Sequence, residues 1–391
     1  MKTIIDYFLT EEQKEIKELV RRIAEEQIVP VRAELDEKEE FPWEIIKILA
    51  EAGLFGIYIP EEYGGFGGGI FELALVTEEL SRACGAVAVS YAASGLGAYP
   101  ILIMGNEEQK KKYLPQIASG EKLAAFCLTE SSAGSDVFGI RTTAVRKGDY
   151  YYINGTKQWI TNGGVAEIFT VIALTDKKRG GRGATAFIVE KDFPGVRVGK
   201  KEKKLGIRAS STTEVIFEDC KVPAENVLGR EGLGIIAVLK TFDYTRPGVA
   251  AQAVGIAQGA YEYALQYAHQ RRQFGKPISS FQAVSHMLAD MATQIEAARS
   301  LVYNVAKIID SGEKKFSHYS AMTKVLASDV AMKVTTDAIQ VLGGYGYMKD
   351  YPLEKMFRDA KITQIYEGTN QIQRNVIAAE LIKMVVQQGK K

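Results

Sequence analysis

Only three cysteines and three histidines occur in the 391 residues, and neither set builds a local metal or disulfide framework. Cys84, Cys127 and Cys220 are far apart and odd in number, so sequence neighbours supply no Cys-x-x-Cys pair, and the pattern fits a reducing compartment. His269, His286 and His318 lack the His-Glu-x-x-His spacing of a zinc site, which leaves them structural or surface roles and predicts no metal. Charge of one sign is missing too: 49 basic residues balance 48 acidic ones, for a net charge of +1. A general nucleic-acid binder carries a basic excess, so that class is excluded, whereas a local site for an anionic ligand is not. No stretch is expected to reach the ~20 apolar residues of a membrane span. The opening Met1-Lys2-Thr3-Ile4-Ile5 runs into a charged helical segment, without a signal-peptide core or an Arg/Ser-rich transit peptide. These readings predict a cytoplasmic, prokaryotic protein that does not insert into membranes.

What is present is apolar material for more than one core, with 46% hydrophobic and 25% charged residues. Three regimes of patterning follow one another. Over 1–120, Thr10 and Gln13 form a candidate capping box ahead of Ile16, Leu19, Val20, Ile23 and Ile28 on a helical period. Further helical patterns occur near 42–54, 71–84, 92–104 and 106–118, broken by the glycine run at 64–69. Over 121–231 the pattern changes to short runs rich in β-branched and aromatic residues, such as Tyr150–Ile153 and Phe169–Leu174, punctuated by turns such as Asn154-Gly155. Over 232–391 long helical periods return, with Leu288, Met291, Ile295, Ala298, Val302, Val305 and Ile309 on one face. The expected class is α+β, a helical lobe, a β lobe and a helical bundle, which is neither an alternating βαβ fold nor a repeat.

Five segments carry candidate chemistry, and each has a plain structural reading beside it. The hydroxyl-rich loop 127–136 offers donors to a ligand with many acceptors, or is an ordinary Ser/Gly turn. Trp159-Ile160-Thr161 presents a flat indole and a hydroxyl, or a core tryptophan. Arg271 and Arg272 close a long helix, either capping its carbonyls or holding a phosphate. The glycines in Gln340-Val-Leu-Gly343-Gly344 permit a ligand's close approach, or end a helix. Glu367, with apolar residues before it and Gly368 after, is either a solvated carboxylate or a desolvated base with a raised pKa. Gly181-Arg-Gly183-Ala-Thr-Ala186 matches a dinucleotide fingerprint formally, but it precedes a strand instead of opening a helix and reads as a hairpin turn.

In order and spacing these segments, together with Pro60-Glu61-Glu62-Tyr63-Gly64-Gly65, resemble the acyl-CoA dehydrogenase family, of short- or medium-chain type. Asp243-Tyr-Thr-Arg-Pro looks closest to the medium-chain members. The resemblance implies an all-α N-terminal domain, a β-barrel-like middle domain and a C-terminal four-helix bundle, assembled as a homotetramer. It implies FAD held by Phe126, Leu128, Thr129, Gly134, Ser135, Trp159, Ile160 and Thr161, with Thr369 and Gln371. Arg271, Phe274, Gln282, Gln340, Leu342, Gly343 and Gly344 would reach the FAD of a neighbouring subunit. The CoA thioester would pass Ser135, Asp243, Tyr244, Arg246, Gly368 and Arg374. Tyr91, Ala92, Ala93, Ser94 and Leu96 are the candidates for the floor of the acyl pocket, where the alanines would leave room for a longer, branched or alicyclic chain, or they simply pack the helix. Glu367 would remove the α-proton while a hydride leaves the β-carbon, and the electrons would pass to an electron-transfer flavoprotein. Some members carry the base just before the arginine matching Arg246, but Thr245 stands there and cannot serve. A flavin oxidase or monooxygenase on the same fold, or a catalytically silent CoA-binding protein, is the alternative.

Overall fold

Where the apolar residues recur on a helical period the chain is helical, and where β-branched residues alternate it is a sheet, in a computed structural model that describes residues 2–388. Six helices come first: α1 (Glu11–Ile23), α2 (Arg32–Lys38), α3 (Trp43–Glu51), α4 (Ile70–Ala83), α5 (Gly85–Met104) and α6 (Glu107–Ala118). The capping box of α1 is reciprocal: Gln13 N–H donates to Thr10 Oγ1 at 3.2 Å and Thr10 N–H to Gln13 Oε1 at 3.1 Å. Two N–H groups that the first turn leaves without partners are satisfied in this way.

α5 corrects one expectation. It has 20 residues, and an 18-residue window of it has a mean hydropathy of 1.5, long and apolar enough to cross a membrane by length and composition, but 72% of that window is buried inside the protein. Small residues let it serve as a core helix against α4 and the following strand: a Cβ on Gly97 would lie 2.6 Å from Ala125 N.

Eight strands form one sheet: β1 (Ala124–Cys127), β2 (Thr143–Lys147), β3 (Tyr150–Thr161), β4 (Ile168–Leu174), β5 (Ala184–Glu190), β6 (Val196–Lys201), β7 (Thr212–Pro223) and β8 (Val227–Leu228). Their order is β6-β7-β3-β2-β4-β5-β8, with β1 parallel to β4. The glycine-rich segment Lys177–Gly183 is a 3-10 turn joining antiparallel β4 and β5. Against β7, β3 keeps register from Tyr150 to Ile153 and shifts twice, the second time between Lys157 and Ile160. That bulge holds Trp159 at a φ of +57° and turns its indole out of the pleat.

The remaining helices are α7 (Gly234–Gln270), α8 (Gln282–Asp310), α9 (Ser317–Leu342), α10 (Leu353–Ile362) and α11 (Asn370–Gln388). A small hairpin of β9 (Arg272–Gln273) and β10 (Lys276–Pro277) separates α7 from α8. α7 packs on α9, α8 and α4. One buried polar knot ties the first and last helical regions: Glu78 on α4 accepts from Arg299 Nε and from Tyr303 OH on α8, each at 2.8 Å. Every lone pair and proton so matched reduces the penalty of burying the ion pair.

Candidate active site

A cleft opens where α4, α5 and α7 meet β1 and the end of β3. Its wall is largely apolar, with Leu73, Val89, Ala92, Ala93, Leu96, Phe126, Phe242 and Val249. Leu128, Thr129, Trp159, Ile160 and Thr161 complete one side, and Thr245, Gln252, Tyr366 and Glu367 another.

Glu367 lies in the turn between α10 and α11, at a φ of +50°, followed by Gly368 at +92°. Its Oε2 accepts a hydrogen bond of 2.8 Å from Thr245 Oγ1. Burial pushes the carboxyl up to about 7, against the opposing pull of the Thr245 hydrogen bond and of the Arg246 and Lys324 charges. A carboxylate with that pKa is charged for part of the time at neutral pH and accepts a proton readily. The rate of any proton abstraction it performs is therefore expected to rise about tenfold per pH unit below about 7 and to level above it. A single-turnover rate that stays flat across that range would show another group to be the base.

Arg246 lies beside it on α7, and its setting follows from Pro247. Proline has no N–H, so the carbonyl four residues back, that of Asp243, loses its helical partner. Ser320 Oγ on α9 fills the gap at 2.6 Å. The Asp243 carboxylate accepts from Arg246 and from Ser317 Oγ, each at 2.8 Å. Arg246 is nearly fully buried, and its Nε has no partner among the described residues. Tyr244 stacks on Tyr99 with centroids 5.8 Å apart.

Trp159 is 57% exposed, so the reading of a core tryptophan fails for it. The hydroxyl-rich loop is anchored by an ion pair that sequence reasoning missed. Fully buried Lys157 Nζ donates to Glu130 Oε1 at 2.8 Å and to Leu128 O at 2.9 Å, while the N–H groups of Arg141 and Thr142 donate to the Glu130 carboxylate. Between these anchors Ser131, Ser132, Gly134 and Ser135 are exposed. A Cβ built on Gly134 would meet nothing within 4 Å.

Other expected residues lie elsewhere. Tyr91 is a correction: it is turned away from the cleft, donates to Leu54 O at 3.0 Å and packs on Phe55, so it floors no pocket. Ser94 is also turned away, its Oγ accepting from Ala124 N–H at 3.3 Å. Arg271, Gln340, Leu342, Gly343 and Gly344 come together in a second cleft that shares no lining residue with the first. Phe274, at the hairpin tip with a φ of +52°, is 93% exposed, and Gln282 is exposed at the start of α8. Thr369 Oγ1 caps α11 by accepting from Ile372 N–H at 3.3 Å, and Gln371 is exposed. Arg374 is tied to Asp329 at 2.9 Å. Trp159, Phe274 and Glu367, all expected site residues, are among the seven non-glycine residues with left-handed φ among the described residues.

Comparison with known proteins matches three family models to the chain. Models of the acyl-CoA dehydrogenase N-terminal, middle and C-terminal domains match residues 10–121, 125–220 and 232–382. A short-chain-specific acyl-CoA dehydrogenase of Clostridium acetobutylicum is 48% identical over 380 residues, covering 97% of this chain and all of the relative. Butyryl-CoA dehydrogenase of Megasphaera elsdenii superposes with a TM-score of 0.94 at 47% identity, covering 96% of this chain and 99% of its own. A chain from a structural study of the electron-transferring flavoprotein of Acidaminococcus fermentans, concerned with flavin-based electron bifurcation, gives 0.94 at 50% identity, covering 95% and 98%.

Proposed function

The chain belongs to the acyl-CoA dehydrogenase family, and on that premise we propose that it oxidises a short, straight acyl-CoA to the trans-2-enoyl-CoA with Glu367 as the base. The observation that carries this reading is Glu367 itself, a carboxylate on the wall of an apolar cleft, held by Thr245 and pushed up to about 7. The α-hydrogen of a thioester is a weak acid, so its removal needs a base of near-neutral pKa and a donor for the carbonyl oxygen as charge develops there. We assign the second task to the Glu367 backbone N–H.

FAD is the cofactor, and when bound it supplies the acceptor for the β-hydride. The residues present fit it. The exposed indole of Trp159 gives a flat face, Thr129 and Thr161 give hydroxyls, and the open space at Gly134 admits a bulky ligand next to the backbone. Phe126, Leu128, Ser135, Ile160, Thr369 and Gln371 would complete that holding set. Arg246, with its unpaired Nε, Asp243, Tyr244, Gly368, Arg374 and Ser135 are assigned to the CoA moiety. The separate cleft around Arg271, Gln340 and Gly343, with the protruding Phe274, supports a homotetramer in which these residues serve a neighbouring subunit's FAD. The likeness to the Acidaminococcus chain supports an electron-transfer flavoprotein as acceptor.

Short chains are preferred in this reading because a buried polar pair interrupts the apolar wall. Gln252 donates to Gly85 O at 2.9 Å and accepts from Tyr366 OH, so a long alkyl chain would have to strip hydrogen bonds to pass. The short-chain relatives agree with that preference. Gln252→Gly is expected to raise kcat/KM for a medium-chain relative to a short-chain acyl-CoA by about tenfold. An unchanged ratio would remove Gln252 from the specificity argument. The reading as a whole is tested by anaerobic titration of the FAD-loaded protein with short, medium, branched and alicyclic acyl-CoAs. Bleaching of the flavin by the short chains is the expected result, and no bleaching by any of them would overturn it.

A further inference from the structure

The turn that carries Glu367 is costly in itself, since a non-glycine residue at a φ of +50° is held against its backbone preference. Something must hold it. We infer that Lys324 is a positioning residue for the reaction, clamping the Glu367–Gly368 turn from α9 together with Gln373 on α11. This rests on the reading of Glu367 as the base.

Lys324 is fully buried, on the α9 face that also carries Ala321, Ala327, Ser328 and Ala331. Its Nζ donates to Gly368 O at 2.8 Å and to Asn370 Oδ1 at 3.0 Å. Gln373, also fully buried, donates from Nε2 to Glu367 O at 2.9 Å and Gly368 O at 3.0 Å. The two side chains thus hold both carbonyls of the strained pair. The fit is close: a Cβ on Gly368 would lie 2.6 Å from Gln373 Nε2 and would displace that amide, and the φ of +92° itself favours glycine after the base. An ordinary helix-packing role would bury an alanine or leucine at 324 at far lower cost than an ammonium.

Charge adds to geometry. Arg246 on α7 and Lys324 on α9 face Glu367, and Glu367, Arg246 and Asp329 face Lys324. The Lys324 ammonium favours the carboxylate form of Glu367. Burial pushes Lys324 itself down to about 7, so both groups titrate in the range where the base must work.

The test compares the FAD-loaded Lys324→Met and Gln373→Leu variants with the unsubstituted holoprotein. Both should fold. In Lys324→Met, Gly368 O keeps Gln373, and Asn370 Oδ1 keeps Ser328 Oγ at 3.2 Å. Lys324→Met is expected to lower kcat for a short acyl-CoA about 100-fold, the size of effect a displaced base produces, with KM little changed. Its pH–rate inflection should move upward from about 7, because the cation that stabilises the Glu367 carboxylate is gone. Gln373→Leu should lower kcat without that move, since it removes no charge. Unchanged kcat and inflection in Lys324→Met would overturn the inference. An infrared titration of the Glu367 carboxyl separates this test from the proposed function. If the unsubstituted protein oxidised no acyl-CoA, the band should still titrate at higher pH in Lys324→Met, and an unmoved band would overturn the clamp.

Discussion

Glu367→Gln is expected to keep its FAD and bind acyl-CoA while flavin reduction falls by about 10³- to 10⁴-fold, the upper range for loss of a general base. Glutamine has nearly the shape of glutamate, and its amide oxygen still accepts from Thr245 Oγ1, so the turn and the cleft keep their form. What disappears is the lone pair basic enough to take a proton. The substitution should also remove a pH-dependent stability effect. A carboxyl whose folded pKa is raised to about 7 stabilises the fold below the ordinary carboxylate range and loses that contribution as pH rises through about 7. The variant, with nothing to titrate there, should show a flatter melting temperature across that interval. Stopped-flow bleaching and thermal melts over pH check both parts. Near-normal bleaching would transfer the role of base to another residue.

Lys157→Met should have the largest effect on stability. The substitution leaves the Glu130 carboxylate buried without its counter-ion, and breaking such a pair costs about 3–5 kcal/mol. The backbone N–H groups of Arg141 and Thr142 still satisfy part of the carboxylate, which places the expected loss near ~3 kcal/mol. The same contact fixes the entry to the loop carrying Thr129, Gly134 and Ser135, so FAD retention should fall alongside stability. Denaturant melts and the flavin-to-protein absorbance ratio measure the two. A variant that melts like the parent would show that the pair is dispensable. A variant that is destabilised but keeps its FAD would separate the anchor from the cofactor site.

Local rules were readable wherever the partners are close in sequence. The Thr10–Gln13 box, the helical periods of α8, the alternation in the middle strands and the non-Rossmann setting of Gly181 all depend on a few neighbouring residues. The length of α5 was not readable, because Gly85, Ser90, Ser94, Gly95 and Gly97 interrupt the apolar run although all are buried in the fold. The same composition gives that helix almost no amphipathic bias, so its sequence does not show that Tyr91 and Ser94 turn away from the cleft that Ala92 and Leu96 line. Trp159 reads as core by residue type alone. A bulge set by pairing with β7, some 55 residues away, turns it outward. Lys324 and Gln373 were missed for a related reason. Lys324 reaches Gly368 across 44 residues, and only its place as a lysine on the buried face of α9 marks it in the sequence. The segment around Glu367 was visible as a candidate, but the desolvation that makes it a base comes from elements far away in the chain.

The most direct test of the central claim follows the proton. The holoprotein is mixed anaerobically with butyryl-CoA in deuterated water, and the recovered acyl-CoA is analysed by mass spectrometry for deuterium at the α-carbon. The account predicts α-exchange in the unsubstituted protein and none above background in Glu367→Gln. Exchange at the parent rate in Glu367→Gln would contradict it.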